Sequence, residues 1–181
     1  MVAVEPALRD QMLAAVPSLR AFAISLTNDP HHADDLVQDT IMRAWSHFDR
    51  FERGTNLNAW LFTILRNLFH SEYRKRKKEV EDADGIYAGK LRTQPDQQAH
   101  LDFEDLRVAL SKLTLEQREA LLLVTAQGLS YEAAAQICGV ATGTIKSRVN
   151  RARNRLVEVM GLGSDAEIGP DSVTKAALAA D

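Results

Sequence analysis

The segment TIKSRVNRAR, residues 144 to 153, carries Lys146, Arg148, Arg151 and Arg153 without one acid, in a chain whose formal net charge is −3. A helix face that merely meets water interleaves glutamate with lysine. Here the neutral neighbours are Ser147, Asn150 and Asn154, all able to hydrogen-bond. At about 100° per residue, Ile145, Val149, Ala152 and Leu156 fall on one side of a helix. The outer arc then holds Lys146, Ser147, Asn150, Arg151 and Asn154, with Arg148 and Arg155 at its edge. Lysine and arginine grip phosphates or guanine, asparagine reads adenine, and the major groove admits a helix. The chemistry open to this stretch is recognition of duplex DNA.

A second basic segment suits a different ligand. Between Arg66 and Lys78 six cations accompany a single acid, and Asn67, His70, Tyr73, Arg74, Lys75 and Arg76 share the stretch. The loop before it supplies Phe51, Thr55, Asn56 and Asn58. Aromatic faces, amides and cations together fit unstacked bases and a single-stranded backbone better than closed duplex. The competing reading makes Phe51, Trp60 and Tyr73 core aromatics and the cations a solvated helix end. Trp60 reads as core, Tyr73 and the cations as contacts. Acids gather elsewhere, in HHADDLVQD and EVEDAD, so the chain holds a polyanion at two places and repels it from the rest.

The elements that must carry these residues read as helices. Leu8, Met12, Val16, Leu19, Ala23 and Leu26 recur at helical spacing, with Pro17 expected to kink or divide the segment. Asn28, Asp29 and Pro30 supply a cap and a first-turn proline for a second helix to about Phe48. Its expected inner stripe is Val37, Ile41, Ala44 with Trp45, and Phe48, which leaves Asp34, Asp35, Gln38, Asp39, Met42 and Arg43 outward. A third helix is expected from about Asn58 to Lys77. Further on, Phe103, Leu106, Leu110 and Leu113 share a face, and Thr114 with Gln117 makes a capping box. Ser130 caps YEAAAQIC, GVA turns the chain, and Thr142 is expected to cap the last helix, an arrangement that reads as helix-turn-helix.

The expected architecture is all-α: two small helical domains, residues 1–78 and 100–163, joined by a flexible linker over 79–99 and followed by a tail over 164–181. Extended, such a linker spans up to about 70 Å. The composition, 45% hydrophobic and 26% charged, is that of a globular chain. The apolar runs fall well short of the roughly 20 residues of a membrane span. Cys138 has no partner for an internal disulfide and reads as a small core residue. No metal site is expected, since acids near His31 and His32 at a helix start favour its positive end without a metal. No cofactor or nucleophile motif is present, so no enzyme activity is expected.

One domain for duplex and one for separated strand is what promoter opening needs. DDLVQDTIMRAW, FERGTNLNAWLFTILRN and GLSYEAAAQICGVATGTIKSRVNRARNRL, in that order, resemble regions 2 and 4 of bacterial sigma factors of the extracytoplasmic-function class, over residues 5 to about 160. EQREALLLVTAQGLSYEAAAQICGVATGTIKSRVNRAR resembles more narrowly the EcfG-type general stress sigma factors of alphaproteobacteria. The resemblance implies that Asp35, Leu36, Gln38, Asp39 and Arg43 meet the β′ clamp helices of core RNA polymerase, while region 4 meets the β flap. It implies that Phe51 to Asn58, with Asn67, read the −10 strand, beside the backbone contacts read above for Tyr73, Arg74, Lys75 and Arg76. Thr144, Lys146, Ser147, Arg148, Asn150 and Arg151 would address the −35 duplex, with Arg155 at the edge. The same resemblance implies a small anti-sigma factor of the NepR kind that occludes both domains. The protein is expected in the cytoplasm, on the nucleoid when polymerase-bound. The competing function is a sigma-like decoy that binds the anti-sigma factor without promoter activity.

Overall fold

A computed structural model describes residues 6–82 and 99–161. Among them the chain forms seven helices and no strand: α1 (Pro6–Thr27), α2 (Pro30–Ser46), α3 (Leu57–Asp82), α4 (Ala99–Ser111), α5 (Leu115–Thr125), α6 (Tyr131–Cys138) and α7 (Thr142–Met160). The chain divides into two compact units, on either side of Gln94 and Pro95. The tail expected over 164–181 and most of the expected linker lie outside the described residues. At the linker's near end the outcome differs from expectation, because α3 continues through Asp82. Among the described residues no helix is long and apolar enough to cross a membrane.

The first unit packs α1, α2 and α3 around one core. Met12, Ala15, Leu19, Phe22, Ala23 and Leu26 of α1 are buried, as are Leu61, Phe62 and Leu65 of α3, and the Phe22 and Phe62 rings stand edge to face at 5.3 Å. α1 runs unbroken through Pro17. Proline removes one donor to the carbonyl four residues back. Pro17 and Leu13 both lie on the exposed side, where water can serve that carbonyl. Asn28 adopts the left-handed conformation at φ 54°, which asparagine tolerates better than most residues. Asp29 then caps α2 by accepting from the backbone nitrogens of His31 at 2.9 Å and His32 at 3.3 Å.

The buried stripe of α2 is Ala33, Leu36, Val37, Thr40 and Ala44. This rotates the expected face: Ile41 is half-buried, and Trp45 is 42% exposed instead of inward. Thr40 enters the core because its hydroxyl donates to the Leu36 carbonyl at 2.7 Å, leaving only the methyl group to pack. Small side chains at 33 and 44 allow the close approach that a bulky Trp45 would prevent.

In the second unit α6 and α7 form the helix-turn-helix, with α4 and α5 packed on α7. Arg118 is buried, and its guanidinium donates to the carbonyls of Leu110, Ser111 and Leu113 at 2.9, 3.4 and 3.3 Å, satisfying acceptors at the end of α4. Burial pushes this guanidinium below its ordinary value. The capping box at Thr114 and Gln117 is formed in both directions, and Ser130 caps α6. Gly139 ends α6 at φ 65°, a conformation that costs glycine nothing. The N-cap of α7 is Ala141, without a side-chain bond, so the cap expected at Thr142 falls one residue earlier and Thr142 is already helical. Ile145, Val149, Ala152 and Leu156 are buried as their spacing required, each large side chain contributing about 1.5–3 kcal/mol. Cys138 is buried as a thiol.

Candidate nucleic-acid interfaces

With that stripe fixed inward, the opposite side of α7 is determined. Lys146, Ser147, Asn150, Arg151, Asn154 and Arg155 are exposed, and Thr144 and Arg148 are half-buried at the margin. Acids are absent from α7 until Glu158, whose carboxylate takes Arg155 at 2.9 Å. Arg155 is thus engaged along its own helix, while the positive field over Lys146 to Arg151 is undiluted within α7. The Lys146 ammonium lies 5.9 Å from the centre of the Tyr131 ring on α6. A convex, exposed helix face of amides, a hydroxyl and cations matches the shape and polarity of a major groove.

The first unit offers a second surface at the loop before α3 and along α3. Thr55, Asn56 and Asn58 are exposed. Phe51 is 7% exposed, so the open aromatic face expected there is corrected: its ring packs 5.6 Å from Phe48 and 5.2 Å from Trp60. These three rings form a floor beneath the loop. Trp60, expected in the core, is half-buried, its ring packed on Phe48 and Phe51. Asn56 also has a role that the sequence reading missed: its Oδ1 accepts from the Ala59 backbone nitrogen at 3.1 Å, capping α3 and leaving the amide's donors outward. The Thr-Asn-Leu-Asn run held that signal, since asparagine favours the cap position. The Thr55 hydroxyl donates to the Glu52 carbonyl at 2.6 Å and tightens the turn.

Farther along α3, Asn67, Arg74, Lys75, Arg76, Lys77 and Lys78 are exposed, and Tyr73 is 52% exposed with its ring stacked 6.0 Å from Phe69. Arg74 donates to the His70 carbonyl at 3.3 Å. Arg76 is held toward α2: its Nη2 lies 2.9 Å from His32 Nε2 and 3.5 Å from Glu72 Oε2. His32 Nε2 is itself 2.6 Å from Glu72 Oε2. One ring nitrogen can donate to the carboxylate or accept from the guanidinium, and either bond ties the start of α2 to α3. Glu72 and Arg76 stand one helical turn apart, which the sequence shows; the arrival of His32 from forty positions earlier it does not.

On α2 the residues assigned to a protein partner separate. Asp35, Gln38, Asp39 and Arg43 are exposed, together with Met42 and Trp45. Leu36 is 1% exposed and is corrected to a core residue, because the stripe centres on it. Asp34 is taken by Arg20, whose Nε and Nη2 reach its two oxygens at 2.6 and 3.3 Å. That hydrogen bond holds the Asp34 carboxyl below its usual range.

Both units match known proteins. The family profile Sigma-70 region 2 matches residues 13–79, and the profile Sigma-70, region 4 matches residues 103–156. The chain is 61% identical over 171 residues to the ECF RNA polymerase sigma factor EcfG of Rhodopseudomonas palustris (strain TIE-1), covering 94% of each. Among solved structures it is similar to the sigma factor RpoE in complex with the anti-sigma factor NepR from Bartonella quintana. There the identity is 53% and the TM-score 0.80, over 87% of this chain and 98% of that one. It shares its fold, at 23% identity and TM-score 0.64, with the PhyRSL–NepR complex from Sphingomonas sp. Fr1, over 88% and 92% of the two chains.

Proposed function

Because the chain belongs to the sigma-70 family, as an RNA polymerase sigma factor of the extracytoplasmic-function class, we propose that its three exposed surfaces divide the work of promoter recognition. The observation that carries this reading is the acid-free outer face of α7, exposed on a helix whose other side is fully buried. In this reading α7 lies in the major groove of the −35 element. Its N-terminal half, with Lys146, Ser147 and Asn150, faces base edges; Arg148, Arg151 and Arg155 face a phosphate strand.

The loop over the Phe48, Phe51 and Trp60 floor receives an unstacked −10 base. Thr55, the free donors of Asn56, Asn58 and Asn67 line the approach. Tyr73, Arg74 and Lys75 follow the strand, and Arg76 joins them only by leaving His32 and Glu72. Asp35, Gln38, Asp39 and Arg43 on α2 meet the β′ clamp helices of core polymerase, and the second unit meets the β flap. The protein directs polymerase and performs no chemistry of its own.

The relative from Bartonella quintana is seen with NepR, and a small anti-sigma factor of that kind is the proposed inhibitor here. Genes of the general stress response are the proposed targets, and the polymerase-bound protein is placed on the nucleoid. Run-off transcription with purified core polymerase on a randomised promoter library tests the whole reading. Enrichment of templates that share two spaced elements is expected; core binding without template selection would count against it.

A further inference from the structure

Lys146 stands in the second turn of α7, near the helix's positive end, where a cation is disfavoured. Among the described residues, the partner the structure gives its ammonium is the Tyr131 ring, 5.9 Å away at the centroid, within the range of attraction between a cation and an aromatic face. The two side chains come from different helices. Tyr131 is the first residue of α6 and is half-buried, and the turn that carries it is pinned where the Ser130 hydroxyl accepts from the Ala133 nitrogen at 3.1 Å. The left-handed Gly139 then sets the course of the chain from α6 toward α7. A lysine on a flexible four-carbon stem therefore meets a ring carried by a fixed element.

We propose that Tyr131 is a positioning residue for promoter discrimination: its ring confines Lys146 to the base-edge side of α7, so choice of the −35 element depends on a residue outside that helix. The inference rests on the reading above, in which Lys146 contacts the −35 element. A ring that only filled space would stabilise the fold without favouring one DNA sequence over another. A ring that orients the ammonium alters the ratio of affinities for right and wrong sites.

The test uses the full chain on core polymerase and measures competitive binding to two promoters, one intact and one with a scrambled −35 element. Tyr131→Phe keeps the aromatic face and should keep the affinity ratio. Tyr131→Leu should lower that ratio about two- to five-fold, and should change nothing further when Lys146→Ala is already present. The ratio is insensitive to any loss of folded protein, which thermal unfolding records separately. An unchanged ratio in Tyr131→Leu, beside a lowered ratio in Lys146→Ala, overturns the positioning role alone. Equal losses from Tyr131→Leu in both backgrounds also overturn it, because the ring would then act without the lysine. An unchanged ratio in Lys146→Ala removes the reading role of that lysine and the positioning role with it.

Discussion

Asp39 projects from α2 with its neighbours Asp35, Gln38 and Arg43, while Leu36 beside them is sealed in the core. Spacing alone makes this split hard to see, since a short acidic run with one leucine reads as a contact strip until the stripe is centred. Asp39→Arg replaces an exposed charge, so thermal stability should change by no more than about 0.5 kcal/mol. Core polymerase affinity, measured by competition with the unchanged chain, should fall, because a reversed charge at an interface is costly; normal affinity would remove α2 from the polymerase contact. Asn56 requires a paired test because it both caps α3 and stands in the strand-capture loop. Asn56→Ala should cost about 1 kcal/mol of stability and reduce promoter opening. Asn56→Asp keeps the cap and should restore stability while opening stays impaired. Full opening by Asn56→Asp would show that the residue acts only through the helix.

The helices were legible where local chemistry and packing agree. α7 is the clearest case: four apolar residues at spacings of four, three and four all proved buried, and Ser130 and Gly139 punctuate the turn before it. Where tertiary contacts decide, the sequence misled. Trp45 looked inward and is exposed. Phe51 looked available and lies in the floor under its loop. The end of α3 carried no stop signal before the expected linker, and the helix continues to Asp82. The inner stripe of α7 should tolerate truncation poorly, with Leu156→Ala costing about 2–5 kcal/mol by urea unfolding. On the outer face, Arg151→Ala should reduce the slope of log affinity against log salt by about 0.9, one phosphate's worth. Arg155→Ala should show a similar slope change with a smaller loss of affinity, since wild-type Arg155 must first leave Glu158. Exposed pairs of this kind contribute little, so equal losses for the two variants would indicate that the pair does not form in solution.

At the scale of the whole molecule, a net charge of −3 conceals two basic surfaces, one in each compact unit. A polyanion approaching this chain is repelled over most of it and attracted at two places with different chemistry. Exposed amides and cations on α7 suit closed duplex, and the loop and cationic face of α3 suit a separated strand. Both units must therefore act on one promoter under one polymerase. Permanganate footprinting of the reconstituted holoenzyme tests this directly, on an intact promoter and on versions with either the −35 or the −10 element scrambled. Reactive thymines in the −10 region are predicted on the intact template, with strong loss when either element is scrambled. Equal opening on all three templates, or polymerase binding with no opening on the intact one, would contradict it.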